Sequence, residues 1–194
     1  MNTPSFPALG LDLATRAGFA LRVRRGACLN ASGLDTNLIS GVLDLSVVTP
    51  SAATAKKPAS HPGLRFNMYR VFLVDTIERH GVRALYYETP VGGANMGGAR
   101  ARVAVGLEII TLEVASVYGL PVAGFHVNSI KKHATGSGKA SKDKQPMISA
   151  ALEKFPGQNW NAHKPTKKAP WTLDDNQADA LHVLDLGLHT DNLL

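Results

Sequence analysis

Four carboxylates in this chain stand where a carboxylate is costly or where small neighbours leave room for chemistry. Asp12 interrupts the apolar run Leu9-Gly10-Leu11-Asp12-Leu13, Glu88 closes the run Ala84-Leu85-Tyr86-Tyr87 just before Thr89-Pro90, and Asp179 lies between Ala178 and Ala180. Asp175 precedes Asp179 by four residues, so on a helix the two share a face. A charge inside a buried strand is unfavourable unless it is paired or bound to a cation. Carboxylates delivered from two strand ends and one helix can converge on one pocket, where their mutual repulsion calls for a divalent cation. Oxygen-only ligands favour Mg2+ or Mn2+, and two such ions can clamp both sides of an in-line phosphoryl displacement. Read singly, the acids have ordinary alternatives: Asp12 as an edge-strand residue, Glu88 as a surface residue, Asp175 as the capping partner of Thr172. Asp179 has the weakest alternative of this kind, and the set carries more weight than any member.

These acids need strands and a helix to hold them. Residues 8–14 and 18–24 are short apolar runs separated by a Thr-Arg-Ala turn, which reads as a β-hairpin, and a third strand is expected over 41–48. Residues 49–63, rich in Pro, Ala, Ser and Lys, read as a flexible surface loop. Phe66, Tyr69, Phe72, Leu73 and Ile77 recur at helical spacing over 64–80, and Gly81 closes that helix as a left-handed cap. Residues 83–88 follow as a buried strand, 91–98 with four glycines as a mobile loop, and 99–118 as a long helix stopped by Gly119. A second buried strand is expected over 121–127, then a Gly-rich turn at 134–138, a helix to about Phe155 and a loop over 156–170. The last helix is read from Thr172 as N-cap, with Asp175 three residues on as its capping-box partner. The opening strands suggest an antiparallel meander and the later ones alternate with helices. Together they predict one α/β domain over 1–194, a mixed five-stranded sheet flanked by helices. Many functions share such an architecture.

Composition narrows the partners. With 194 residues, 44% of them apolar, the chain suits one domain with a sizeable core. A formal charge of +6 favours a polyanion such as nucleic acid. The lone cysteine, Cys28, excludes an internal disulfide and fits a reducing compartment, as an inert thiol. The run from Ile109 to Leu120 is too short and too interrupted to span a membrane, and residues 1–7 lack a basic n-region, so a cytosolic product with no membrane partner is expected.

Four segments occur in one order along the chain: Leu9-Gly10-Leu11-Asp12-Leu13-Ala14-Thr15-Arg16-Ala17-Gly18-Phe19-Ala20-Leu21, Tyr86-Tyr87-Glu88, Lys131-Lys132-His133-Ala134-Thr135-Gly136-Ser137-Gly138-Lys139-Ala140-Ser141-Lys142, and Asp174-Asp175-Asn176-Gln177-Ala178-Asp179-Ala180-Leu181. Together they resemble the motifs of RuvC-type Holliday-junction resolvases of the RNase H-like superfamily, the last as written in phage members. The resemblance implies an RNase H-like sheet with Asp12, Glu88 and Asp179 as metal ligands. It places Lys131 and Lys142, eleven residues apart, beside the scissile phosphate, where they would stabilise its developing charge. Gly136 and Gly138 would let the backbone approach a phosphate, and Lys132, Thr135, Lys139 and Lys144 belong to a basic loop that is solvated or meets more distant phosphates. Two departures stand out. Asn176 occupies the position, three before Asp179, where the family usually has another acid, and Asp175 is the available substitute for a fourth ligand. No aromatic wedge follows Glu88; Met96, in a Gly-rich loop, is either its replacement or a loop filler.

The resemblance implies an endonuclease that binds four-way junctions and makes paired symmetric nicks, with two Mg2+ per active site, Mn2+ as a substitute, and 5′-phosphate ends. Paired nicks require two active sites and so a homodimer. The helix over 99–118 is apolar nearly all round (Val103, Val105, Leu107, Ile109, Ile110, Leu112, Val114, Val117), which suits burial on two sides. A rival keeps the chemistry but acts on RNA–DNA hybrids or branched DNA generally; another is a non-catalytic DNA-binding module with structural acids. An actin-like ATPase would need a second lobe and a second phosphate loop, which a chain of this length lacks. The phage-like last motif suggests a viral or prophage source.

Overall fold

The structure is a computed structural model that describes residues 6–23, 37–46, 62–90, 99–138, 144–161 and 174–191. Its elements run β1 (Ala8–Asp12), β2 (Arg16–Arg22), β3 (Leu38–Asp44), α1 (Pro62–His80), β4 (Ala84–Glu88), α2 (Ala99–Tyr118), β5 (Val122–Phe125), α3 (Val127–Thr135), α4 (Gln145–Lys154) and α5 (Asp175–Asp191). The five strands form one mixed sheet in the order β3-β2-β1-β4-β5. β1, β2 and β3 pair antiparallel as the expected meander, while β1–β4 and β4–β5 pair parallel.

The period of two along each strand divides the core into two layers. Leu9, Leu11, Leu21, Leu85 and Tyr87 face α1 and α2, against Tyr69, Leu73, Ile77, Val103, Leu107 and Ile110. Each such buried side chain contributes roughly 1.5–3 kcal/mol. A hydroxyl pair inside this layer is satisfied: Tyr69 donates to Thr111 Oγ1 at 2.8 Å, and Thr111 donates to the Leu107 carbonyl at 2.9 Å. On the other face Ala8, Ala20, Ala84 and Tyr86 meet Leu181 and Leu184 of α5, with Ile130 of α3 and Met147 of α4.

Small residues on this second face let α5 lie directly on the sheet. A Cβ at Gly10 would sit 2.6 Å from the Leu184 nitrogen, and one at Gly18 would sit 1.9 Å from the Asn176 carbonyl oxygen. Gly187 is pressed in the same way against the Tyr86 ring, where a Cβ would come within 2.3 Å. These contacts run from the first turn of α5 over Gly18 to its last turns over Tyr86. They place the N-terminus of α5 at the carboxyl end of β1.

Several boundaries differ from the sequence reading. β1 ends at Asp12 and β2 begins at Arg16, so the turn falls at residues 13–15, ahead of the expected one. β3 starts at Leu38 rather than at residue 41, because Leu38 pairs with Arg22 at the far end of β2. Helix α3 was not expected at all. It is only nine residues long and buries only Ile130, and it places Lys131, Lys132 and Thr135 on a helix rather than in a loop. Its start is capped by His126, whose Nδ1 accepts the Asn128 N–H at 3.2 Å. The cap of α5 is also corrected. Thr172 lies outside the described residues, and the helix begins at Asp175 with Asp174 as its cap, the Asp174 Oδ1 accepting the Asn176 N–H at 3.0 Å. Asp175 is therefore the first helical residue and not a capping-box partner. Most of the loop expected over 49–63, all of that over 91–98 and the later part of that over 156–170 lie outside the described residues. Among the described residues no helix is long and apolar enough to cross a membrane.

Candidate active site

The parallel pairing of β1 with β4 brings the first two acids together. Leu11 pairs with Tyr87, which sets Asp12 beside Glu88 one residue further on. Alternation turns both toward α5, because Gly10 and Tyr86, two residues earlier, contact α5 on that face. The close approach of α5 over Gly10 and Gly18 then delivers Asp175 and Asp179 from its first two turns to the same edge.

Lys144, the residue before α4, joins them. Its Nζ lies 2.8 Å from Asp179 Oδ2 and 3.4 Å from Asp175 Oδ2. Burial, and then the Asp179 and Glu88 carboxylates, hold Asp12 well above the usual carboxylate range, against the pull of Lys144. Glu88 is pushed up to about 7 by burial first and by Asp179 second, with Lys144 and Lys131 pulling the other way. Burial works against the Lys144 ammonium, but Asp179, Asp175 and Asp12 outweigh it and hold the group above the ordinary lysine value. Lys144 thus faces four acids, with Lys131 also felt at Glu88, and among the described residues the carboxylates outnumber the ammonium groups.

The expected site residues distribute as follows. Asp12, Glu88, Asp175, Asp179 and Lys144 gather at this edge, and the charge of Lys131 on α3 is felt at Glu88. Lys144 was expected on a solvated loop or at distant phosphates; instead it is tied to the acids, because α4 docks on α5 directly after it. The Asn176 amide donates to Asp174 Oδ1 at 3.0 Å, so it serves the cap, and Asp175 is the residue that reaches the cluster. Lys132, Thr135 and Gly136 are exposed on the last turn of α3 and just past it. Gly136 has a reason of its own, as a left-handed cap (φ 75°) whose N–H donates to the Lys132 carbonyl at 2.9 Å. Gly138 is half-buried, where a Cβ would lie 3.3 Å from the Asn128 carbonyl oxygen. Met96, Lys139 and Lys142 lie outside the described residues.

The sequence reading missed the groups that fix these elements to one another. Arg16 bonds the fully buried Asp174 at 2.6 Å, joining the start of β2 to the cap of α5. Gln177, also buried, accepts the Asn161 N–H at 2.8 Å and donates to Ser40 at 2.9 Å and to the Asn159 carbonyl at 3.0 Å. Further along α5, His182 Nε2 bonds the Met147 carbonyl at 2.9 Å, and Asp185 takes both His133 of α3 and, at 2.5 Å, Lys154 of α4. Asp175, Asp179, His182 and Asp185 recur at spacings of four, three and three, so one face of α5 holds the acids and docks both ends of the basic segment. That recurrence was the available signal in the sequence.

Fold and site together define an RNase H-like α/β domain with an acid cluster at the carboxyl ends of two neighbouring parallel strands. No family model matches the chain, and no curated protein matches it. Solved structures do. Thermus thermophilus RuvC in complex with a Holliday junction substrate superposes with a TM-score of 0.57 at 18% identity, over 92% of this chain and 90% of that one. Thermus thermophilus RuvC alone gives 0.58 at 17% identity, over 96% of each chain. The yeast mitochondrial Holliday junction resolvase Ydc2 gives 0.53 at 15% identity, over 97% of this chain and 80% of that one. The chain therefore has the RuvC-type fold.

Proposed function

We propose that this chain is a structure-selective endonuclease that binds four-way DNA junctions and resolves them by paired nicks through metal-assisted phosphodiester hydrolysis. One observation carries the reading: Asp12, Glu88, Asp175 and Asp179 meet at one edge of a RuvC-type sheet, with too little positive charge among them. The fold neighbours support it, one having been solved on a Holliday junction and another being a Holliday junction resolvase.

The donors fit a hard divalent cation by chemistry, since all are carboxylate oxygens and, among the described residues, they outnumber the ammonium groups that act on them. Among the described residues, no three acidic, His or Cys side chains already stand at the spacing of a metal cage. Asp12, Glu88, Asp179 and Asp175 would hold Mg2+, or Mn2+ in its place. Two such ions, when bound, supply positive charge to the phosphate and acidity to the attacking water.

The remaining work falls to the protein. β1 and β4 hold two acids on a rigid sheet, and α5 brings the other two against them. Lys131, whose charge reaches Glu88, would meet the scissile phosphate, and Lys142 is proposed for the same task. Lys132, Thr135, Gly136, Gly138 and Lys139 would contact the flanking backbone, with Met96 at the junction centre. Hydrolysis adds water across the P–O3′ bond and leaves a 5′ phosphate and a 3′ hydroxyl.

Paired nicks need a second copy of the chain. α2 is buried on one side only; Val105, Ile109 and Leu112 are exposed on the other, and Leu64, Met68 and Val71 form a similar open stripe on α1. Both stripes follow the i, i+4, i+7 spacing of one helix face, which suits a homodimer contact. The test is cleavage of a mobile four-way junction beside matched duplex and RNA–DNA hybrid, in Mg2+ and in EDTA. Metal-dependent, symmetric nicks in the junction are expected. Nicking of the hybrid with the junction left intact would replace the substrate, and no cleavage of any of them would overturn the reading.

A further inference from the structure

Lys144 is held by the oxygens that a metal would need. Its Nζ lies 2.8 Å from Asp179 Oδ2 and 3.4 Å from Asp175 Oδ2, and its charge also reaches Asp12 and Glu88. A divalent cation cannot simply be added to this arrangement. The same carboxylate oxygens would have to serve both cations, and an ammonium next to a doubly charged ion in a partly buried site is repelled by it. The absence, among the described residues, of three acids at cage spacing agrees with a cluster already organised around an ammonium.

The lysine also has somewhere to go. Its side chain is 35% exposed, and it is the cap residue of α4: its carbonyl accepts the Ile148 N–H at 3.2 Å, while its side chain makes no capping bond. Among the described residues its ammonium makes two ion pairs, to Asp179 and Asp175, and these must break for the side chain to swing toward solvent.

We propose that Lys144 is the resident counter-ion of the acid cluster, which the divalent metal must displace, and that the displaced ammonium is then free for the DNA phosphate. This rests on the nuclease reading above and deepens it. Metal binding is then an exchange, one cation out and another in, so free protein binds metal more weakly than its acids alone would. A phosphate that accepts the released lysine favours the exchange, and by linkage metal favours phosphate to the same degree. The protein would load metal efficiently only with its substrate in place.

The test measures metal binding without turnover. Mn2+ is titrated into the full chain and into Lys144→Met, free Mn2+ being read by its paramagnetic resonance signal. Lys144→Met is expected to bind Mn2+ about tenfold more tightly, within the usual range of coupling between sites. In the wild-type chain, labelled with 15N-lysine, the Lys144 ammonium resonance is expected to shift as Mg2+ saturates. This second measurement needs no variant and so stands even if Lys144→Met folds poorly. Equal or weaker Mn2+ binding by a folded Lys144→Met, or an ammonium signal unmoved at saturating Mg2+, would overturn the exchange and leave the nuclease reading intact. If neither protein binds Mn2+ at millimolar concentration, the metal site itself falls, and the exchange with it.

Discussion

Replacing Glu88 by Gln should stabilise the metal-free protein, by an amount that depends on pH in a defined way. In the folded chain Glu88 titrates near 7 instead of its ordinary 4.5, raised first by burial and then by Asp179. Between these two values the folded state holds a proton that the unfolded state has lost, so stability falls as pH rises through that window. It is fully present below about pH 4.5 and has been lost above about pH 7. The difference in pKa corresponds to roughly 3 kcal/mol. Gln keeps the shape and bears no charge, so Glu88→Gln should come within about 1 kcal/mol of wild type near pH 5 and exceed it by up to about 3 kcal/mol at pH 8. For a domain of this size that is about 6–12 °C in melting temperature. The assay is thermal and urea denaturation in EDTA from pH 5 to 8.5. Mg2+ should then narrow the gap by stabilising the ionised wild-type cluster. A variant no more stable than wild type at pH 8, or a gain of the same size at pH 5, would refute the argument that Glu88 is held against its own charge.

Other consequences follow from the same geometry. Asp12→Asn and Asp179→Asn should each abolish nicking while junction binding is kept or tightened, since each removes a negative charge from the path of the phosphate; gel shift and nicking on the same preparations check this. Asp175→Asn should lose activity that higher Mn2+ partly restores, with little change in melting temperature. Asp174→Ala should instead cost about 1–2 kcal/mol in urea denaturation, because Asp174 and not Asp175 is the cap of α5. Gly18→Ala should destabilise by about 1–3 kcal/mol, its Cβ being directed at the Asn176 carbonyl oxygen from 1.9 Å.

The acids were legible in the sequence because each broke a local pattern. Asp12 interrupted an apolar strand, Glu88 ended one, and Asp179 sat among alanines on a helix. The order of strands and helices was legible for the same reason, since periods of two and of nearly four are written into the chain. The residues 64–80 and 99–118 read as helices agree closely with α1 and α2, where buried apolar residues recur over many turns. Helix α3 was missed because it is only nine residues long and its lysines run straight into a Gly-rich turn, so the segment read as a loop. The start of β3 was misplaced because its pairing with β2, and not its composition, decides where it begins.

What the sequence determined by itself, then, was the inventory: five strands, the long helices, four displaced acids and a basic segment. Those follow from local periodicity and from the cost of charge in apolar surroundings, which act within a few residues. Only the tertiary structure decided which groups meet. The neighbouring of Asp12 and Glu88 comes from β1–β4 register, and the presence of Asp175 and Asp179 beside them comes from α5 lying flat on Gly10 and Gly18. The choice of Lys144 as the lysine that reaches the acids comes from where α4 docks on α5, through His182 to the Met147 carbonyl and Lys154 to Asp185. Those partners are 31 to 35 residues apart in the chain. No pattern of spacing records a contact whose energy exists only once the two helices are packed.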